Sequence, residues 1–342
     1  MKHGNSWVVG GVPMPLPIIL GAGVCKAPAR LVPYMRDDVS LGAVITGSYT
    51  PDEADGESRK GNDDGKNICQ WPPQIEGGAE FRFGLNSWGM PNMGFTKAES
   101  ELDHMDIPKK LIVSIAAFSV KGYVDGASIF GSHHPWVARV PAAQEWNLGC
   151  PNTHDKKVLP ISYDYVSFGQ ILAAGEKLKL NCPVWVKVSP YLTLENLKLL
   201  VEHGIDVTHV PVAEEGFLER VAALIARHSY VRAVVVSNTG PNAIYRINGE
   251  PVTTPNAGKA GLSGPIMKEI VFEQVRRFRA VLPETVDVIH SGGLWNGDDL
   301  VSAMENGAAA GQFTSLPSWG GGPKVFGELI AGSERLQNLL IN

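Results

Sequence analysis

The chain has 342 residues, of which 44% are hydrophobic and 19% charged, which is enough apolar material for one large core and a length that suits an α/β barrel as a single domain. Its net charge of −5 arises from mixed signs without a long basic run, which excludes a nucleic-acid reader or a polybasic membrane binder and points to small-molecule partners. Four cysteines (Cys25, Cys69, Cys150, Cys182) stand singly without a CxxC pair, so a disulfide framework and a thiolate metal centre are both excluded and a reducing, cytoplasmic setting is expected.

The N-terminal run Trp7-Val8-Val9-Gly10-Gly11-Val12 is too short and too broken by glycine for a signal or spanning segment. Pro17 to Leu20 reads as an apolar strand that runs into the small-residue turn Gly21-Ala22-Gly23, where a planar ligand could approach the backbone. A helical stretch follows around Ala29 to Met35, and a second strand spans Gly42 to Ser48. Residues 52–78 form a polar, Gly-rich excursion. Gly84-Leu85-Asn86-Ser87-Trp88-Gly89-Met90-Pro91-Asn92 then ends a strand with asparagine, glycine and proline. Leu111 to Phe118 reads as a buried strand, whereas Gly122 to Pro141 has poor helical patterning and carries His133 and His134, which neighbour each other in a loop rather than on a metal-binding face.

Glu145-Trp146-Asn147-Leu148-Gly149-Cys150-Pro151-Asn152 ends a short strand in a sharp turn and displays, between two amides, a thiol, a group that can give or take a proton near neutrality. A polar run, Thr153 to Lys157, precedes the amphipathic stretch Tyr163 to Leu178. Pro183 to Pro190 is a strand whose Lys187 is costly in apolar surroundings unless it meets an anion. Helices are expected over Leu192 to His203 and Glu215 to His228, with a short strand over Val207 to Val212 between them. The strand Arg232 to Ser237 delivers Asn238-Thr239-Gly240, and Gly258 to Gly264 precedes the long helix Ile266 to Val281. The last two strands run into Ser291-Gly292-Gly293 and Thr314-Ser315, a Gly and hydroxyl grip for phosphate after the final strands of a barrel.

Strands and helices alternate from residue 17 onward, with polar residues gathered at strand C-termini. This predicts one domain over residues 1–342, a (β/α)8 TIM barrel with its site on that face. A doubly wound sheet ranks second, because no GxGxxG follows the first strand and no acidic ribose partner is evident.

Taken in order, Asn86 to Asn92 with Gly94-Phe95, Asn147 to Asn152, Lys187 with Ser189-Pro190, Asn238-Thr239, Gly261 to Gly264, Ser291 to Gly293 and Thr314-Ser315 resemble the dihydroorotate dehydrogenase family, in particular its soluble, cysteine-base branch. The resemblance implies an FMN across the barrel mouth. Its phosphate would lie on Gly292, Gly293, Thr314 and Ser315, and its ring near Ala22 and Gly23 with Lys187 beside it; Ser48, Asn147, Thr239 and Gly264 complete the cofactor set. Cys150 is implied as the catalytic base. Asn86, Asn152 and Asn238 are implied to hold a cyclic ureide, with Trp88, Gly89 and Met90 walling the substrate space. No metal is implied. The chain would exchange two hydrogens across a C–C bond next to a carbonyl and pass electrons to a separate acceptor, either a fumarate-like oxidant or a protein, as a homodimer. The contrasting class is a flavin-binding barrel without catalysis, which would have no need of a base at Cys150.

The sequence departs from this pattern at Gly47, where the family carries a lysine in Thr-Lys-Ser, and at Trp88, where a smaller aliphatic residue is usual. Both changes favour a ring or enone substrate without a carboxylate. Lys26, Lys156 and Lys157 are the cations available to replace the missing one.

Overall fold

The computed structural model describes residues 2–3, 6–57, 69–70, 82–107, 109–131, 141–151 and 159–341. Eight strands close a barrel: β1 (Ile18–Leu20), β2 (Ala43–Ile45), β3 (Lys110–Ile115), β4 (Ala143–Asn147), β5 (Val184–Val188), β6 (Val231–Val236), β7 (Asp287–Ser291) and β8 (Ala310–Phe313). Each pairs in parallel with its neighbour in sequence, and β8 returns to β1. The (β/α)8 reading therefore holds.

Successive side chains on a strand point to opposite faces, so each barrel strand supplies one row to the interior and one to the helices outside. The inward row changes character along its length. Ile112, Ala143, Trp185 and Ala310 belong to an apolar interior cluster, and two residues further along the same strands come the buried polar side chains Ser114, Glu145, Lys187 and Gln312. The outward row (Val113, Trp146, Val186, Val234, Val288) packs against the helices in the larger core. The lower half of the barrel is thus a sealed apolar plug and the upper half a polar floor.

An N-terminal hairpin, Ser6–Val9 and Val12–Met14, closes the lower mouth. Its turn is tied to the barrel by the Gly10 N–H donating to Asp287 (2.7 Å) and by the Trp185 indole donating to the Gly10 carbonyl (3.0 Å). At the upper mouth an antiparallel sheet of Gly240–Ala243, Ala260–Ser263, Gly84–Asn86 and Cys69–Gln70 stands over the strand ends.

Two local expectations fail. Val120–Gly131 is an α-helix, although its sequence reads as irregular. Its glycines explain both facts: they weaken helical patterning, yet a Cβ at Gly122 would lie 2.7 Å from that of Ala117 and one at Gly126 2.6 Å from the Phe95 ring, so close packing demands them. Residues 207–212 form a turn rather than a strand, because β5 and β6 pair directly and leave no free edge in the barrel. Most of the excursion over 52–78 and both His133 and His134 lie outside the described residues.

Gly10 combines a left-handed φ of +53° with contact against Trp185, where a Cβ would overlap the indole. The substitution Gly10→Ala is therefore expected to cost about 3 kcal/mol from backbone strain and overpacking. A urea midpoint unchanged from wild type would show that the hairpin plug is not tightly seated.

Candidate active site

The polar floor is a connected network. Lys187 and Glu145 are buried, with the ammonium 3.8 Å from Oε1 of the carboxylate. Gln312 bridges them: its Oε1 accepts from Lys187 Nζ at 2.5 Å, and its Nε2 donates to Glu145 Oε2 at 2.8 Å. Ser291 also donates to Gln312 Oε1, at 3.2 Å. Removing charges from water is expensive, and here each charge is compensated by the other and by hydrogen bonds, from Lys187 to Gln312 and from Ser114 and Gln312 to Glu145.

Because a carboxylate only accepts, it also fixes the direction of the chain leading away from it. Ser114 donates to Glu145 (3.0 Å), so Ser48, at 2.8 Å, donates to Ser114. Asn147 Nδ2 then donates to Ser48 (2.9 Å), and Asn238 Nδ2 donates to Asn147 Oδ1 (2.8 Å). Asn238 Oδ1 accepts the Thr239 N–H at 2.7 Å. Both amides are thereby oriented from inside the barrel.

Above this floor opens a cavity of about 560 Å³, in the size range of cofactor and ligand sites. Of the residues singled out in the sequence, Ala22, Gly23, Ser48, Asn86, Trp88, Met90, Asn147, Cys150, Lys187, Asn238, Thr239, Gly292, Gly293, Thr314 and Ser315 all line it. Gly89 and Gly264 do not; each serves a turn, at φ +67° and +99°. Asn152, Lys156 and Lys157 lie outside the described residues. Among the described residues no cluster of His, Cys, Asp and Glu forms a metal site.

Cys150 is half-buried at the cavity wall. Its loop is held against the end of β5 by the Leu148 N–H donating to Lys187 O (3.0 Å) and by Ser189 Oγ donating to Gly149 O (3.0 Å). Gly149 has to be glycine, since a Cβ there would overlap the Val188 and Ser189 backbone. Met90 adopts φ +51°, an uncommon conformation for a long side chain, and Asn92 braces it by donating to the Met90 carbonyl at 3.0 Å.

Several participants escape the sequence reading. Gln312 and Glu145 carry the same signal that revealed Lys187, a polar side chain in an apolar strand, but the partners of such residues lie on other strands. Arg30 and Tyr34 reach the cavity from the first helical turn region, and Ser237 from a strand end. The departure at Gly47 acquires a steric cause: a Cβ there would sit 2.6 Å from the Cys25 carbonyl oxygen and 3.1 Å from Lys26 Cα. The chain after β1 occupies the space a side chain at 47 would need, and it brings Lys26 into the cavity wall.

A family model described as dihydroorotate dehydrogenase matches residues 8–336. The chain belongs to the dihydroorotate dehydrogenase family. Among relatives, it is 27% identical over 235 residues to the catalytic subunit of dihydroorotate dehydrogenase B (NAD(+)) of Methanopyrus kandleri, a match covering 67% of this chain but 64% of that protein, less than two thirds of its length. It is 23% identical over 257 residues to dihydroorotate dehydrogenase A (fumarate) of Lactococcus lactis subsp. lactis, covering 74% of each. The structure of dihydroorotate dehydrogenase from Eimeria tenella in complex with ferulenol superposes with a TM-score of 0.66 at 19% identity, over 98% of this chain and 84% of that one, a likeness of fold.

Removing one partner of a buried pair strands the other charge, so Lys187→Met is expected to destabilise the fold by about 3–5 kcal/mol. Adding Glu145→Gln should recover a large part of that loss. Denaturant unfolding of both single variants and the double variant reads the coupling; strictly additive losses would show that the pair does not act as a unit.

Proposed function

We propose that the chain is an FMN-dependent oxidoreductase of the dihydroorotate dehydrogenase type, a single barrel domain that exchanges two hydrogens across a C–C bond adjacent to a carbonyl in a small cyclic, pyrimidine-like substrate. The observation that carries this reading is the buried ammonium of Lys187, fixed by Gln312 and Glu145 at the floor of a cavity that also holds a thiol and a set of oriented amides.

The donor set fits FMN. Gly292 and Gly293, at φ +130° and +81°, with Thr314 and Ser315, offer backbone N–H and hydroxyl donors for a phosphate. The small residues Ala22 and Gly23 leave a flat surface for a ring. When bound, FMN supplies two-electron chemistry that no side chain provides. Lys187 would offer the flavin ring a fixed cation, already held in place by Gln312 and Glu145 and able to favour its anionic reduced form. Asn147 and Thr239 would direct hydrogen bonds to the ring edge, and Ser48, whose proton goes to Ser114, could only accept one there. Cys150 holds or removes the proton at the substrate carbon, and its loop is clamped to β5 so that the sulfur keeps its place. Asn86, Asn238 and Asn152 match the alternating C=O and N–H edge of a ureide.

Selectivity follows from the packing at Gly47. The second strand ends without a cation, and Trp88 and Met90 present apolar surface. The site therefore favours a ring or enone with a neutral substituent, and the loss of a charge-assisted hydrogen bond weakens a carboxylated one by roughly ten- to a hundredfold unless Lys26 supplies it. Electrons leave to a separate acceptor, a fumarate-like oxidant or a protein. A homodimer in the cytoplasm completes the reading; no helix among the described residues is long and apolar enough to cross a membrane.

Anaerobic stopped-flow reduction tests this. The uncarboxylated dihydropyrimidine is expected to bleach the flavin faster than dihydroorotate, and Cys150→Ala to retain flavin while slowing bleaching by about 10²- to 10⁴-fold. Equal rates in wild type and variant would remove Cys150 from the chemistry and favour a binding barrel. Saturation at micromolar dihydroorotate would return the carboxylate to the substrate.

A further inference from the structure

His290 is a side chain that the chemistry above does not use. It lies on β7, fully buried, with its ring edge-to-face against Phe272 at 5.0 Å between centroids. Its Nε2 is 2.7 Å from the Gly292 carbonyl oxygen. A carbonyl can only accept, so Nε2 carries the proton and Nδ1 is a bare acceptor. Among the described residues Nδ1 is buried without a partner, and burial pushes the imidazole down to about 4, so the ring is neutral. An aliphatic residue would fill this position without an unpaired nitrogen. What the histidine adds is one hydrogen bond, to the turn that lines the cavity.

The direction of that bond matters. In a planar trans peptide the C=O and the following N–H point in opposite directions. Holding the Gly292 carbonyl toward the buried histidine therefore sends the Gly293 N–H away from that histidine, in a turn whose two glycines both line the cavity. Two consecutive glycines at positive φ are the residues least able to hold a peptide plane by themselves. A flipped plane would put a carbonyl oxygen where the N–H stood and repel an anion. On the other side the turn is fixed by the start of the helix Lys268–Val281, whose first backbone atoms leave no room for a Cβ at Gly293.

We infer that His290 is a positioning residue that locks the Gly292–Gly293 peptide with its N–H toward the cavity, and so sets the affinity for the phosphate of a flavin nucleotide independently of its ring. The inference rests on the reading of this turn as the phosphate grip. The test compares FMN with riboflavin, which has the same ring and no phosphate, on flavin-stripped full-length protein by fluorescence quenching. Wild type is expected to prefer FMN. His290→Leu should weaken FMN by roughly tenfold or more, the scale of one lost hydrogen bond to a charged group, and leave riboflavin within about twofold; His290→Gln, whose amide N–H can reach the same carbonyl, should restore the preference. If His290→Leu does not fold, His290→Asn, with a shorter amide, makes the same comparison. Equal losses for both ligands, or an unchanged FMN affinity, overturn the positioning role and leave the phosphate grip standing. A wild type that binds the two ligands alike overturns the phosphate grip itself.

Discussion

A cation almost wholly shut off from solvent inside a closed barrel needs its charge compensated by the protein, and the structure is arranged around that fact. Lys187 is compensated by Glu145 one strand away and by Gln312 across the interior. The carboxylate, being an acceptor alone, then dictates the polarity of the chain through Ser114, Ser48, Asn147 and Asn238. One buried charge pair thereby sets the orientation of groups on six strands or strand ends. The amides that face a ligand are preorganised by the barrel floor.

The same closure explains where specificity sits. Strand interiors are packed to native density, so variation is confined to the loops after them. At Gly47 the segment after β1 has settled into the space that a side chain would need, and Lys26 joins the wall as a result. A lysine at 47 could be accommodated only by moving the Cys25–Lys26 backbone. At the opposite mouth the hairpin around Gly10 seals the barrel and has no part in the site.

Much of this was legible in the sequence because its signals are local. Runs such as Val184 to Val188 and Val231 to Val236 announce strands, and the asparagines, glycines and hydroxyls at their ends announce the ligand face; Asn86, Asn147, Asn238, Gly292, Gly293 and Thr314 all line one cavity. What escaped detection depends on contacts distant in sequence. Gln312 is 125 residues from the lysine it binds, and the hydrogen bond alone gives it a role. The helix Val120–Gly131 was hidden because its glycines answer to Phe95 and Ala117, neighbours that the segment itself does not contain. The turn at 207–212 looked like a strand because apolar alternation does not say whether a barrel edge is open.

We propose that this floor and the turns around it hold one flavin mononucleotide. The most direct test is to purify the protein, release its cofactor by heat and identify it by chromatography. One equivalent of FMN per chain is the predicted result. A colourless protein that takes up no FMN, or one that holds FAD, would contradict the account.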